Sequence, residues 1–222
     1  GILLNEFYKT NLDNQTIIKS YLYWKNYLKN NYSIIKEVFG GLYISKVKCG
    51  NCGNYNCTFD PFDSIQLQLP EQKNLKLEDC LDNFFKIELL NNDNKYNCEK
   101  CNIKVDAIKQ IEFWYLPKVL IIQLKRFEAH SFFSKKKNDH VECLFNISLE
   151  KYCCNISDCK DYNYELYSVC NHYGGTTGGH YTANVKNPIN NLWYEFNDDS
   201  IYHIDISNVI TESAYLLFYK KI

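Results

Sequence analysis

Methionine is absent from the 222 residues. That absence predicts that Gly1 lies inside a longer protein. If an initiator had preceded Gly1, N-myristoylation would want Ser or Thr at position 5; Asn5 stands there, and lipidation is discounted. A charge excess is absent too: 25 basic against 26 acidic residues give a formal net charge of −1. The balance argues against nucleic-acid binding driven by bulk charge. With 45% hydrophobic residues it also excludes intrinsic disorder. No apolar run approaches the ~18 residues of a membrane span, and no signal peptide is seen. An even cysteine count, expected of a secreted disulfide framework, is missing: there are eleven. Bound metal plus free thiols in an intracellular protein, cytoplasmic or nuclear, fits better. Five N-x-S/T sequons, from Asn14 to Asn155, are what chance yields in an Asn-rich chain.

The length allows one or two domains, burying roughly 70–75% of the unfolded chain's surface. Apolar residues 1–9 read as the end of a helix, and Thr10 to Gln15 as a polar loop. Ile18, Tyr21, Trp24 and Leu28 recur at helical spacing within 17–32. Extended segments follow at 42–48 and 57–69, and a short amphipathic helix at 75–85 places Leu77, Leu81, Phe84 and Phe85 inward. Strands are expected at 105–114, 119–126, 164–170, 181–186, 193–196 and 214–219. The stretch from Glu128 to Asp139, with Lys135, Lys136 and Lys137, reads as a solvated polar loop. The chain is α+β, with short helices early and antiparallel strands later.

Cys49-Gly-Asn-Cys52 and Cys98-Glu-Lys-Cys101 each fall in a turn after a strand-like segment. Two such knuckles supply four thiolates, the donor set of a closed tetrahedral zinc site with Zn–S near ~2.3 Å. Four sulfurs leave no open position, so the metal would be structural. Gly50 and Gly53 suit the tight turn. A redox Cys-x-x-Cys or four unrelated thiols are the alternatives. Cys153, Cys154 and Cys159 form a weaker candidate group.

The second constellation runs from Asn171 through His172, the glycines at 174, 175, 178 and 179, His180 and Tyr181, and resumes at Trp193 to Asp199. A symmetric hairpin centred on Pro188-Ile189 would set His180 opposite Asn197, where paired Cβ atoms lie ~4.5–5.5 Å apart. An imidazole steered by a side-chain acceptor is the base half of a nucleophile–His–Asn/Asp triad, and Asp198 could assist. The alternative is a polar cross-strand pair with no chemistry.

These motifs resemble one family in order. Gly178-Gly179-His180-Tyr181, Trp193 to Asp198 and Ala214 to Tyr219 are similar to the His box of ubiquitin-specific proteases. Leu116 to Phe127 resembles that family's LP.vLiihLKRF strand, and Phe59 to Phe62 and Leu77 to Leu81 fit its finger region. The resemblance implies a papain-like palm of antiparallel strands with zinc-ribbon fingers and most of the thumb missing. Residues 1–40 would be a thumb remnant, 41–115 fingers with part of the palm, and 116–222 palm with the His box. It implies His180 as general base, Asn197 as third triad member and Asp198 as an acidic helper. It implies zinc on Cys49, Cys52, Cys98 and Cys101, and no cofactor in the chemistry. His172, Gly178, Gly179 and Tyr181 would belong to a loop over the ubiquitin tail, with residues 128–140 forming another. The partners implied are ubiquitin and ubiquitinated proteins, with no nucleic acid or membrane. The family's Gly-Asn-Thr-Cys box is absent, and Cys52 already belongs to the metal set. These residues alone are therefore expected to be inert, as part of a deubiquitinating thiol protease. The rival is a catalytically dead ubiquitin-binding scaffold.

Overall fold

The computed structural model describes residues 2–129, 134–157, 159, 161–175 and 178–222, with side chains described except at 2–12, 128, 129, 134 and 135. Two helices open the chain, α1 (Ile2–Asn31) and α2 (Ile34–Phe39), followed by β1 (Gly41–Cys49), β2 (Tyr55–Phe62) and β3 (Ile65–Gln68). Next come α3 (Leu77–Phe85), β4 (Glu88–Leu90), β5 (Tyr96–Cys98), β6 (Ile103–Val105) and β7 (Ala107–Tyr115). Then follow β8 (Val119–Lys125), β9 (Phe127–Ala129), β10 (Ser134–Lys136) and β11 (Asn146–Ser148). The last strands are β12 (Asn163–Gly174), β13 (Gly179–Lys186), β14 (Trp193–Asn197), β15 (Ser200–Ile204) and β16 (Ala214–Lys221). They divide into two units, one of Gly1–Phe62, Phe85–Pro117 and Glu150–Lys160, the other of Asp63–Phe84, Lys118–Leu149 and Asp161–Ile222.

In the first unit the loop expected at 10–15 does not exist: α1 runs through it. Residues 2–32 contain neither glycine nor proline. Thr, Asn and Asp each disfavour helix by only about 0.5–0.7 kcal/mol, less than breaking and renucleating it. The helix is also longer than the short elements expected. Its inward stripe is Ser20, Trp24, Tyr27 and Leu28, whereas Ile18 and Tyr21 are exposed. Ser33 accepts a bond from the Lys36 N–H and so caps α2, an element the sequence reading did not place. The antiparallel sheet β2-β1-β7-β4 buries Leu42, Ile44, Phe59 and Trp114, with Trp24 packed against them.

The second unit is built on a sheet in the order β15-β14-β13-β12-β16-β8-β3, with β11 also pairing β12. Every pairing is antiparallel except β3 with β8. Leu120, Ile122, Leu124, Tyr164, Leu166, Val169, Leu217 and Tyr219 are buried. So are Leu77, Cys80 and Leu81 of α3. Asp79 accepts from the Lys76 N–H at 2.9 Å, the returning arm of a capping box. Strands β11 and β15 extend the sheet beyond the strands expected.

The polar loop expected at 128–139 is in its described parts a hairpin, with Lys136 paired to Phe127. Lys136 and Lys137 are not solvated. Lys136 Nζ donates to the His172 carbonyl at 2.6 Å and Lys137 Nζ to that of Leu69 at 3.3 Å.

β12 is the longest strand, and its far end outruns its neighbours. Pairing with β16 stops at Asn171 with Ala214, and pairing of β13 with β14 stops at Ala183 with Phe196. Residues 172–174 and 179–181 thus form a two-stranded ribbon projecting beyond the sheet, and it carries His180.

Candidate functional site

His180 pairs across the ribbon with Tyr173, and its imidazole is exposed. Its Nε2 lies 2.7 Å from Asn197 Oδ1. An amide oxygen only accepts, so Nε2 carries a proton, and in the neutral ring the lone pair is on Nδ1. The contact with Asn197 thus orients the neutral ring with Nδ1 free of that partner.

The contact was expected, but not the register that produces it. Observed pairs run from Lys186 with Trp193 to Ala183 with Phe196, which extends Asn197 to a place opposite Thr182. The hairpin is as symmetric as expected but is centred one residue later, on Ile189-Asn190 rather than Pro188-Ile189. Asn187 Oδ1 accepts from the Ile189 N–H at 2.8 Å, and Asn191 adopts φ 58°. A slip of two residues keeps the same sheet face, so His180 and Asn197 still share it and meet on the diagonal. Asp198 stands exposed at the tip between β14 and β15 with φ 49°. A left-handed turn conformation that Asp tolerates is the role its geometry displays.

His172 does not lie in a loop. It sits within β12, 4% exposed, with its ring 4.8 Å from that of Tyr181 and 5.4 Å from that of Phe127. A Cβ at Gly179 would approach His172 Nε2 to 2.2 Å and the Tyr173 carbonyl oxygen to 2.3 Å. Only glycine fits there, directly before His180. Gly178 lies in the connecting loop, and Tyr181 is largely exposed on β13.

Burial and then the Lys136 ammonium hold the His172 pKa below the usual histidine value of 6.5. In the unfolded chain that ring takes up a proton near pH 6.5, whereas in the fold it resists. Its neutral form therefore contributes stability in full above pH 6.5, and this is lost as pH falls toward the lowered folded value. Urea unfolding from pH 5 to 8 should show stability rising with pH, and His172→Phe should flatten that slope. An unchanged slope in the variant would assign it to other groups.

Sequence reading missed the polar row beside His180 on the same face. Thr182, Asn171 and Asn184 are all buried. Asn171 Nδ2 donates to Thr182 Oγ1 at 3.3 Å, and Asn184 Nδ2 to the Val209 carbonyl at 3.0 Å. The available signal was the polar type at every second position, 180, 182, 184 and 186, alternating with Gly179, Tyr181, Ala183 and Val185.

The four cysteines converge in the first unit. Cys49 ends β1, Cys98 ends β5, and each begins a turn holding the second cysteine of its pair. Gly53 adopts φ 67° to close the first turn, donating its N–H to the Cys49 carbonyl at 3.0 Å. All four Sγ atoms lie within 4.8 Å of one another, with Cys49–Cys101 at 3.9 Å and Cys52–Cys98 at 3.7 Å. A tetrahedron with metal–sulfur bonds of ~2.3 Å has edges of about 3.8 Å, so the set fits a metal ion. The Cys52 backbone N–H lowers Cys49 to about 6, while its bond with the Cys52 thiol raises Cys101 to about 12. Thiolates this close oppose one another's ionisation unless a cation joins them. Among the described residues this is the one such group; Cys153, Cys154 and Cys159 do not join in another.

The other thiols with resolved shifts are poor nucleophiles. Burial raises Cys57 and Cys170, and pushes Cys80 and Cys154 up to about 11 and Cys143 to about 12.

A palm-like antiparallel sheet with an Asn-steered imidazole, together with a four-cysteine ribbon, is the palm and fingers of the papain-like cysteine protease fold. Comparison with known proteins narrows the class. The family model described as ubiquitin carboxyl-terminal hydrolase matches residues 3–219, and the chain belongs to that family. Ubiquitin carboxyl-terminal hydrolase Usp2 of Drosophila melanogaster is 35% identical over 206 residues, covering 91% of this chain and 22% of that protein. Ubiquitin carboxyl-terminal hydrolase 2 of Gallus gallus is 34% identical over 205 residues, covering 91% and 57%. Among solved structures, the SAGA Ubp8/Sgf11/Sus1/Sgf73 DUB module bound to ubiquitin aldehyde is similar at TM-score 0.78 and 36% identity, covering 87% of this chain and 44% of that one. The chain thus spans between about a fifth and somewhat over half of these relatives.

Proposed function

We propose that these residues are the fingers and palm of a deubiquitinating thiol protease that hydrolyses the bond after the ubiquitin C-terminal Gly-Gly. The observation that carries this is the 2.7 Å contact between His180 Nε2 and Asn197 Oδ1 in a chain of the ubiquitin carboxyl-terminal hydrolase family. In this reading His180 Nδ1 takes the proton of a cysteine thiol supplied by the longer protein. The thiolate attacks the glycine carbonyl carbon. Protonated His180 returns the proton to the departing lysine amine, leaving a thioester. His180 then removes a proton from water, which attacks the thioester; the carboxylate leaves and the thiol is regenerated. Asn197 keeps the ring in the tautomer that permits both transfers, and Asp198 adds negative potential nearby.

Cys49, Cys52, Cys98 and Cys101 would hold a structural zinc ion, which stiffens the ribbon and takes no part in the reaction. Gly178 and Gly179 offer little bulk, suiting close approach to a ubiquitin tail that ends in two residues without side chains; Tyr181 and the stretch 128–140 would flank it. Residues 41–115 would be fingers with part of the palm, 116–222 palm, and 1–40 part of a thumb. An intracellular setting, cytoplasmic or nuclear, would keep the thiols reduced.

The test is ubiquitin bearing a thiol-reactive C-terminus, incubated with the full protein that contains this segment. A single adduct on a cysteine outside these 222 residues is expected. No adduct, with ubiquitin still bound, would favour the scaffold reading. An adduct on one of the eleven cysteines here would overturn the assignment of the nucleophile.

A further inference from the structure

The ribbon that carries His180 has an edge that no strand covers, and a lysine takes the place of the missing donor there. Within a strand the N–H and C=O of one residue point to the same side. The His172 N–H donates to the Ser213 carbonyl at 2.9 Å, so its own carbonyl faces that edge as well. β16 begins only at Ala214, and its last pairing is with Asn171. No strand N–H is therefore in place for the His172 oxygen. Lys136 Nζ stands there instead, at 2.6 Å.

Lys136 is itself firmly placed. Its neighbour Lys137 donates its N–H to the Arg126 carbonyl at 2.7 Å. The wholly buried Arg126 returns Nη1 to the carbonyls of Lys137 and Asp139 at 3.0 and 2.8 Å, and Nε to that of Ala214 at 2.6 Å. One guanidinium thus fixes both the strand that delivers the lysine and the start of the strand whose absence the lysine offsets. The charged or titratable groups around the Lys136 ammonium are Arg126, Glu212 and His172.

A two-stranded ribbon is marginal in water. Here His180 touches Asn197 on one flank, and on the other the His172 N–H bonds the Ser213 carbonyl while Lys136 bonds the His172 carbonyl. We propose that Lys136 is a positioning residue for His180: by capping the His172 carbonyl it keeps the 172–174/179–181 ribbon ordered and the imidazole within reach of Asn197. This rests on the reading of His180 as the base. It adds that the base depends on a residue of the 127–136 hairpin, on another part of the chain.

The experiment is hydrogen exchange and imidazole NMR on the full protein that contains these residues, comparing Lys136→Met, which keeps length but cannot donate, with Lys136→Arg. A charge-assisted bond of this kind holds its segment by a factor of roughly ten to a hundred. In Lys136→Met, the amides of Tyr173 and His180 and the Nε2–H of His180 should lose about tenfold protection. The amides of 120–124 and 164–169 should stay protected, and Lys136→Arg should restore the ribbon. An undisturbed ribbon in Lys136→Met would overturn the proposal. So would loss of protection across the whole sheet, which would make Lys136 a general support of the fold. The catalytic reading fails separately: a His180→Ala protein still forming the ubiquitin adduct at full rate would refute the base while leaving the ribbon result intact.

Discussion

Replacing Cys98 with serine should empty the four-thiol site and unfold the ribbon around it. The β5–β6 hairpin has three residues per strand, with only Cys98 and Val105 buried. No hairpin of that size stands alone. What holds it is convergence on Cys49 and Cys52, with the Gly50 N–H bonded to the Asp106 carbonyl at 2.8 Å. A structural zinc ion contributes about 10–16 kcal/mol of apparent binding free energy, and that energy is folding energy. A whole domain's stability is only about 5–15 kcal/mol. Metal analysis of the native chain should give about one zinc per molecule, and Cys98→Ser should retain almost none. Exchange protection should vanish at 49–53 and 95–107 and persist in β8, β12 and β16. Full protection in a metal-free variant would mean that side-chain packing alone holds the ribbon.

In the proposed reading, with the cysteine nucleophile supplied, His180→Ala should lower kcat by a factor of 10³ or more, of the order seen when a triad base is removed. Asn197→Ala should cost less, about 10²-fold, because the imidazole remains but its tautomer and direction are no longer enforced. Both losses should fall on kcat rather than KM, since neither group is assigned to substrate binding. Asp198→Ala should have the smallest effect of the three, because its side chain is exposed at a turn tip. If Asp198→Ala proved the most damaging, the orienting role would pass from the amide to the carboxylate.

The two sites were legible in the sequence for different reasons. The four cysteines were legible because Cys-x-x-Cys spacing and turn glycines are local, and tetrahedral coordination leaves little else for two such pairs to do. The His180–Asn197 contact was legible because a register slip of two preserves the face. A slip of one would have hidden it; the strand ends at Lys186 and Trp193 set the centre of the hairpin at Ile189-Asn190, one residue beyond Pro188-Ile189. His172 misled because glycine-rich surroundings suggest a loop. Its burial depends on Phe127 and Tyr215, which lie far away in the chain. Lys136 and Lys137 misled because three lysines in a row look solvated. Their acceptors are carbonyls of β12 and of Leu69, which no local pattern reveals. α1 shows a further limit: Ile18 and Tyr21 have core character at helical spacing, yet both face outward.

The most direct measurement is the tautomer of His180, read from the two ring-nitrogen shifts of ¹⁵N-histidine-labelled chain near neutral pH. A proton on Nε2 with Nδ1 bare, reverting to mixed tautomers in Asn197→Ala, is the expected result. A proton on Nδ1, or a ring whose signals ignore Asn197→Ala, would contradict the claim that this amide prepares this imidazole to act as a base.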